Sequence, residues 1–154
     1  MKKPIKRHEA LKPLSREHHH GLLLCWKIRQ GVKLDVNMAR IKSYTDWFRR
    51  HYLDPHFEAE EKYIFPVLGN DHELVKRALA EHRRLKRLFN QEADLAIAMN
   101  SIEEELDSHI RFEERVLFNE IQAVATEEQL ADIEKHHNGI QFSDDDWKDH
   151  FWQN

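Results

Sequence analysis

Apolar residues recur along this chain at intervals of three and four, the spacing of amphipathic helices with one face turned to a core. Leu11, Leu14, Leu22 and Cys25 mark the first such stripe, in a helix expected to start with Ser15 as its cap and to run to Gln30, where Gly31 supplies a stop. A second helix is expected from about 36 to 68, kinked at Pro55 and ended near Pro66 and Gly69. A third covers about 71 to 90 and a fourth about 101 to 125, with Asn100 or Ser101 as cap. Thr126 and Gln129 then have capping-box spacing before LADIEKHH, and Ser143 offers a cap for one last amphipathic stretch, SDDDWKDHFW. Four long helices joined by short links predict an all-α, up-down-up-down four-helix bundle. The expected organisation is a single domain over 1–154, with its core at about 14–125 and a short helical C-terminal extension over 126–154.

Composition narrows the function classes. Four glycines and four prolines in 154 residues favour long helices over strands and frequent turns. A net charge of −4 with 34% charged residues gives neither nucleic acid nor an anionic membrane much global attraction, so neither is expected as a partner. One cysteine, Cys25, excludes an internal disulfide and reads as a small buried hydrophobe. The amino terminus MKKPIKRHEALKPLS is basic without a signal-peptide apolar stretch, and a cytoplasmic protein is expected. Histidine is the unusual component, with 12 residues.

Helical geometry sorts those histidines. At about 100° per residue, His18 lies within about 40° of Leu11, Leu14, Leu22 and Cys25, while His19 and His20 turn away. His56 lies on the same face as Tyr52, Glu60, Tyr63 and Val67, and His51 points outward. Val75, Ala78 and Phe89 flank His82, with His72 about 80° off; Ile102, Glu113 and Val116 cluster around His109. Each helix therefore puts one histidine on its buried stripe. Tyr52, Tyr63, Phe89 and Phe112 read as core packing, and the basic run HRRLKR at 82–87 as a solvated helix face. His136, His137 and His150 read as surface residues.

Two of these histidines belong to a repeat. HFEAEEKYIF at 56–65 and HIRFEERVLF at 109–118 share His, Glu-Glu, a base and an apolar pair in register, and Glu17-His18 and Glu81-His82 precede them in the same order. His-x-x-x-Glu places imidazole and carboxylate about 6 Å apart along one helix face. Buried unpaired, Glu60 and Glu113 would each cost several kcal/mol, on the order of the effective penalty for a buried ion, and a multivalent cation removes that cost. Four imidazoles and two carboxylates suit two first-row metals bridged by the carboxylates.

With these residues the sequence resembles the hemerythrin-like, His-His-Glu cation-binding family over roughly 14–120. That resemblance implies a four-helix bundle holding a non-haem di-iron centre: His18 and His56 on one iron, His82 and His109 on the other, Glu60 and Glu113 bridging. Oxygen-carrying members have a further histidine one turn from the third-helix ligand, where this chain has Ala78 and Lys86; Lys86 is expected to extend to solvent. The last carboxylate in those members tends to follow H-x-x-x-x-D, which would favour Glu114, but Glu113 lies on the face of His109 and is the expected ligand. The remaining ligand set is similar to that of repair-of-iron-centres proteins. It implies an open position on each metal for O2, NO or peroxide. The expected function is a di-iron binding protein in ligand binding, sensing or stress response, with a di-iron oxidoreductase or iron-centre repair protein as the alternative and a structural Zn or Mn bundle as a third reading.

Overall fold

A computed structural model describes residues 6–153. Residues 1–5, part of the basic segment read above, and Asn154 lie outside the described residues. No strand occurs among the described residues, and the helices are α1 (Lys12–Lys33), α2 (38–67), α3 (Glu73–Asn90), α4 (95–124) and α5 (Glu127–His136). The links at 34–37, 68–72 and 91–94 are short, so successive long helices pack as neighbours in a four-helix bundle. Among the described residues no helix is long and apolar enough to cross a membrane.

The helix ends depart from the sequence reading for local reasons. Ser15 does not cap α1, which begins at Lys12 with Pro13 in its first turn; the Ser15 hydroxyl instead donates to Glu114 Oε2 at 3.0 Å. Gly31 is not the stop either. It stays helical because α1 runs so close to its neighbours that a Cβ there would lie 2.8 Å from Ile41 and 2.9 Å from Phe151. The turn is made four residues later by Asp35 at φ 57°, with the Val36 N–H donating to the Gly31 carbonyl at 2.9 Å. Asn37 caps α2 and His72 caps α3 through side-chain acceptors. The fourth helix begins at Leu95 rather than Ser101, after Asp94 in the left-handed region. Thr126 and Gln129 form the expected capping box.

α2 and α4 are not uniform α-helices. In α2, π turns occupy Arg49–Leu53 and Glu60–Ile64; in α4, one occupies Glu113–Leu117. The first carries the chain into Pro55, which lacks an N–H and crowds the preceding turn, so the wide turn takes the place of the expected kink. The other two start at the first glutamate of each repeat and close with Phe65 N–H to Glu60 C=O and Phe118 N–H to Glu113 C=O.

The extra residue in those turns corrects two core assignments. Uniform helical geometry puts Tyr63 and Val116 on the inner face, but Tyr63 is half-buried against His136 and Val116 is 44% exposed. Ile64 and Leu117 take the inner positions. Tyr52, Phe89 and Phe112 are buried as expected. The C-terminal extension is helical only over α5. Ser143 accepts from the Asp145 N–H at 3.2 Å without starting a helix, and the segment after α5 runs as turns and extended chain that bury Phe151 and Trp152 in the core.

That core has two apolar halves. One gathers Leu24, Ile28, Tyr44, Phe48, Phe89 and Met99; the other gathers Leu14, Phe65, Ala78, Leu117, Phe118 and Ile133. On α1 and α3 the inward histidine falls between them, and on α2 and α4 it stands one residue before the first half ends at Phe57 and Ile110.

Candidate metal centre

His18, His56, Glu60, His82, His109 and Glu113 are buried to between 0% and 4% exposure. All six predicted residues meet in this layer. Two groups, His18, His56, Glu60, Glu113 and Glu60, His82, His109, Glu113, each bring four ligand atoms within 4.8 Å of one another, and Glu60 and Glu113 belong to both. Nε2 of His18 lies 3.0 Å from Glu113 Oε1 and 3.5 Å from Glu60 Oε2; Nε2 of His56 is 3.4 Å from Glu60 Oε2. On the other side Nε2 of His82 is 3.2 Å from Glu60 Oε1 and Nε2 of His109 is 3.2 Å from Glu113 Oε1.

The donor set fits cations. Nε2 of His56, His82 and His109, both oxygens of Glu60 and Oε2 of Glu113 are buried with no hydrogen-bond partner. Buried polar groups are otherwise almost always satisfied, so convergent orphans define a place for a ligand. Two imidazoles and two carboxylate oxygens per position suit a divalent first-row metal, with the shared carboxylates as bridges.

The sequence reading missed what holds the imidazoles. Glu17 of α1 lies 2.7 Å from His56 Nδ1 in α2; Glu61 of α2 lies 2.7 Å from His82 Nδ1 in α3. Glu81 of α3 lies 2.7 Å from His109 Nδ1 in α4, and Glu114 of α4 lies 2.9 Å from His18 Nδ1 in α1. The four pairs close a ring around the bundle. Each carboxylate accepts from Nδ1–H and so leaves Nε2 facing inward, where it could serve a metal. The second glutamate of each repeat and the glutamate before each first-helix or third-helix histidine were the available signal. Their spacing showed that they recur, but not which ring they reach. Aromatic faces complete the cage: Phe57 stacks on His82 at 3.8 Å and Phe118 on His18 at 5.3 Å.

Charge follows from these contacts. Burial opposes the cationic imidazole, but the Glu60 carboxylate and the bond to Glu17 outweigh it and raise His56 to about 9. His109 rises to about 10, against burial, through Glu113 and Glu81. Burial likewise works against the Glu17 charge, yet His137 and His56 hold it down to about 2. Glu60 stays well below the carboxylate range because surrounding imidazoles overcome its desolvation.

The remaining candidates fall away from the centre. His19 and His51 are exposed. His20, expected to face outward, is half-buried edge-on to Tyr52 and Phe142, since the C-terminal segment covers that side of α1. His137, expected at the surface, reaches Glu17 Oε2 at 2.6 Å. His136 is exposed and His150 half-buried, stacked on Trp152. Ala78 is fully buried, Lys86 is exposed, and Arg83, Arg84 and Arg87 face solvent. Cys25 is buried, which pushes its thiol up to about 12. Beside the layer lies a cavity of about 10 Å³ lined by Gly21, Tyr52, Leu53, Phe57, Leu106 and Ile110 along with His18, His56 and His109. It has room for one water-sized molecule.

A helical bundle with a buried layer of histidine and glutamate defines a metal-binding four-helix protein. The family model Hemerythrin HHE cation binding domain matches residues 10–93, more than half of the chain, and the chain belongs to that family. No curated protein and no solved structure matches it. The matched span ends before α4, so His109 and Glu113 enter the site through the internal repeat and the geometry.

Proposed function

We propose that this chain is a non-haem di-iron protein whose centre keeps open positions for O2 or NO and acts in ligand binding, sensing or a stress response. The observation that carries the reading is the pair of four-atom groups sharing Glu60 and Glu113, with Nε2 of His56, His82 and His109, both Glu60 oxygens and Glu113 Oε2 left unpartnered. Iron bound there would supply redox chemistry and Lewis acidity. The chain supplies the rest. The ring of Nδ1 to carboxylate bonds fixes each imidazole, the two shared carboxylates neutralise charge, and the apolar halves above and below exclude bulk water.

Openness follows from what is missing on α3. One turn before His82 stands Ala78, buried and unable to ligate, while Lys86 one turn after it is exposed. Four protein atoms per position leave room in the usual coordination of iron for a small ligand, and the cavity beside Gly21 offers a space of that size. The same features support a di-iron oxidoreductase or iron-centre repair protein acting on O2, peroxide or NO as the second reading.

Reconstitution with ferrous iron under anaerobic conditions, followed by metal analysis, tests the centre: two irons per chain are expected, and one or none removes the bridged pair. Mixing with air then separates the roles. Rapid conversion to a ferric, azide-binding form supports ligand sensing or redox chemistry, sustained consumption of O2, peroxide or NO favours the enzyme, and a long-lived reversible oxygen adduct would make the protein a carrier.

A further inference from the structure

The four outer carboxylates are equivalent in the repeat but not in their surroundings. Glu61, Glu81 and Glu114 keep 35%, 29% and 27% of their side chains exposed, whereas Glu17 keeps 3%. The segment after α5 covers it. Nε2 of His137 lies 2.6 Å from Glu17 Oε2 and the Ile140 N–H donates to the same oxygen at 3.0 Å, while Oε1 takes His56 Nδ1 at 2.7 Å. Gly139, at φ 114°, makes the turn that aims both donors at one atom. Farther along, Phe142 packs on Tyr52, Asp144 meets Lys27 and Tyr44, Arg40 pairs with Asp149, and Phe151 and Trp152 are buried. The segment is thus anchored well beyond the point where it touches Glu17.

The counterpart of Glu17 in the repeat has no such support. Glu81 meets Arg77 of its own helix at 3.0 Å, and that arginine is 53% exposed. An exposed i, i+4 pair restrains its partners weakly. A carboxylate with three donors on two oxygens has few orientations left, and the orientation of the imidazole bonded to it follows.

We propose that residues 137–152 form a positioning strap for the metal centre. His137, with the Ile140 amide, fixes Glu17, and through Glu17 it fixes His56. The His18/His56 half therefore releases its metal more slowly than the His82/His109 half. This rests on the dinuclear reading above, so the test has one arm that needs no metal.

In metal-free, nitrogen-15 labelled protein, the His56 Nδ1–H signal should exchange with solvent faster in His137→Ala than in wild type, with His137→Gln restoring the slow rate because its amide also donates. In protein loaded with Co2+, wild type should lose two ions to a chelator in two phases. His137→Ala should speed the slow phase about tenfold, the lower end of the effect of removing an outer partner of a ligand, and His136→Ala should leave it unchanged. An unaltered His56 proton together with an unaltered slow phase in His137→Ala overturns the strap, as does single-phase release from wild type that holds two ions. Wild type that takes up no cobalt pair while His56 still responds to His137→Ala sinks the dinuclear reading and leaves the strap standing. Should His137→Ala fail to fold, Gly139→Ala strains the same turn and is read in the same two assays.

Discussion

His18 and Glu114 stand 96 positions apart and meet at 2.9 Å between Nδ1 and Oε1, while the other nitrogen of the same ring lies 3.0 Å from Glu113. Adjacent glutamates of one π turn thus serve opposite edges of one imidazole, Glu113 inside and Glu114 outside. Glu114→Gln keeps the shape and removes the charge. It should weaken metal binding about 10- to 100-fold without abolishing it, whereas Glu113→Gln should cost both positions their shared ligand. Competition with a chelator of known affinity distinguishes the two; equal losses would contradict the division of roles.

Removing an inner imidazole strands a buried carboxylate. His56→Ala or His109→Ala should lower metal content below two per chain and destabilise the protein by about 2 kcal/mol or more in chemical denaturation. His19→Ala and His51→Ala, both at exposed positions, should change neither. His20→Ala is not a neutral control, because its ring packs on Tyr52 and Phe142.

Metal-free protein should have a stability window with two edges. Glu17 is lowered from 4.5 to about 2, so its contribution is present above about 4.5 and is lost as pH falls toward 2. His56 and His109 are raised from 6.5 to about 9 and about 10, so theirs is complete below 6.5 and is lost as pH rises through 9 to 10. Urea midpoints should therefore peak between about pH 4.5 and 6.5. Metal, which binds the deprotonated Nε2, should move the maximum to higher pH. A flat profile from 5 to 10 without metal would contradict the imidazole to carboxylate contacts.

Gly21 sets the width of the cavity. A Cβ there would come 2.7 Å from Ile110 Cδ1, so Gly21→Ala forces the end of that side chain to move at a cost on the order of 1 kcal/mol. Two metals should still bind, while stopped-flow association of NO or azide should slow. Unchanged association would mean that ligands reach the centre elsewhere.

Much of this architecture could be read from the residues because helical periodicity is local. The inward choice among His18, His19 and His20, the selection of Glu113 over Glu114 as the inner carboxylate, and the four-helix count need only about 100° per residue and the apolar stripe. Reading failed where the helix was not uniform, as at Tyr63 and Val116 beyond the π turns, or where close packing ruled, as at Gly31. It also failed where partners lie far apart in sequence. His137 and Glu17 are 120 positions apart, and no spacing rule joins them.

The π turns at Glu60–Ile64 and Glu113–Leu117 make each repeat a matter of length as well as composition. A π turn carries one residue more than the α turn it replaces. Deleting a single residue within 61–63 or 114–116 would let the helix continue as α with Ile64 and Phe65, or Leu117 and Phe118, still on the core face, because a uniform helix seats the seventh residue after His56 or His109 inward; closing the turn as α at full length would instead rotate them off the core by about 100°. The ten-residue motif is therefore a splice between two helical phases, one set by the inward histidine and glutamate and one by the apolar core after them, with the π turn absorbing the odd residue between the two.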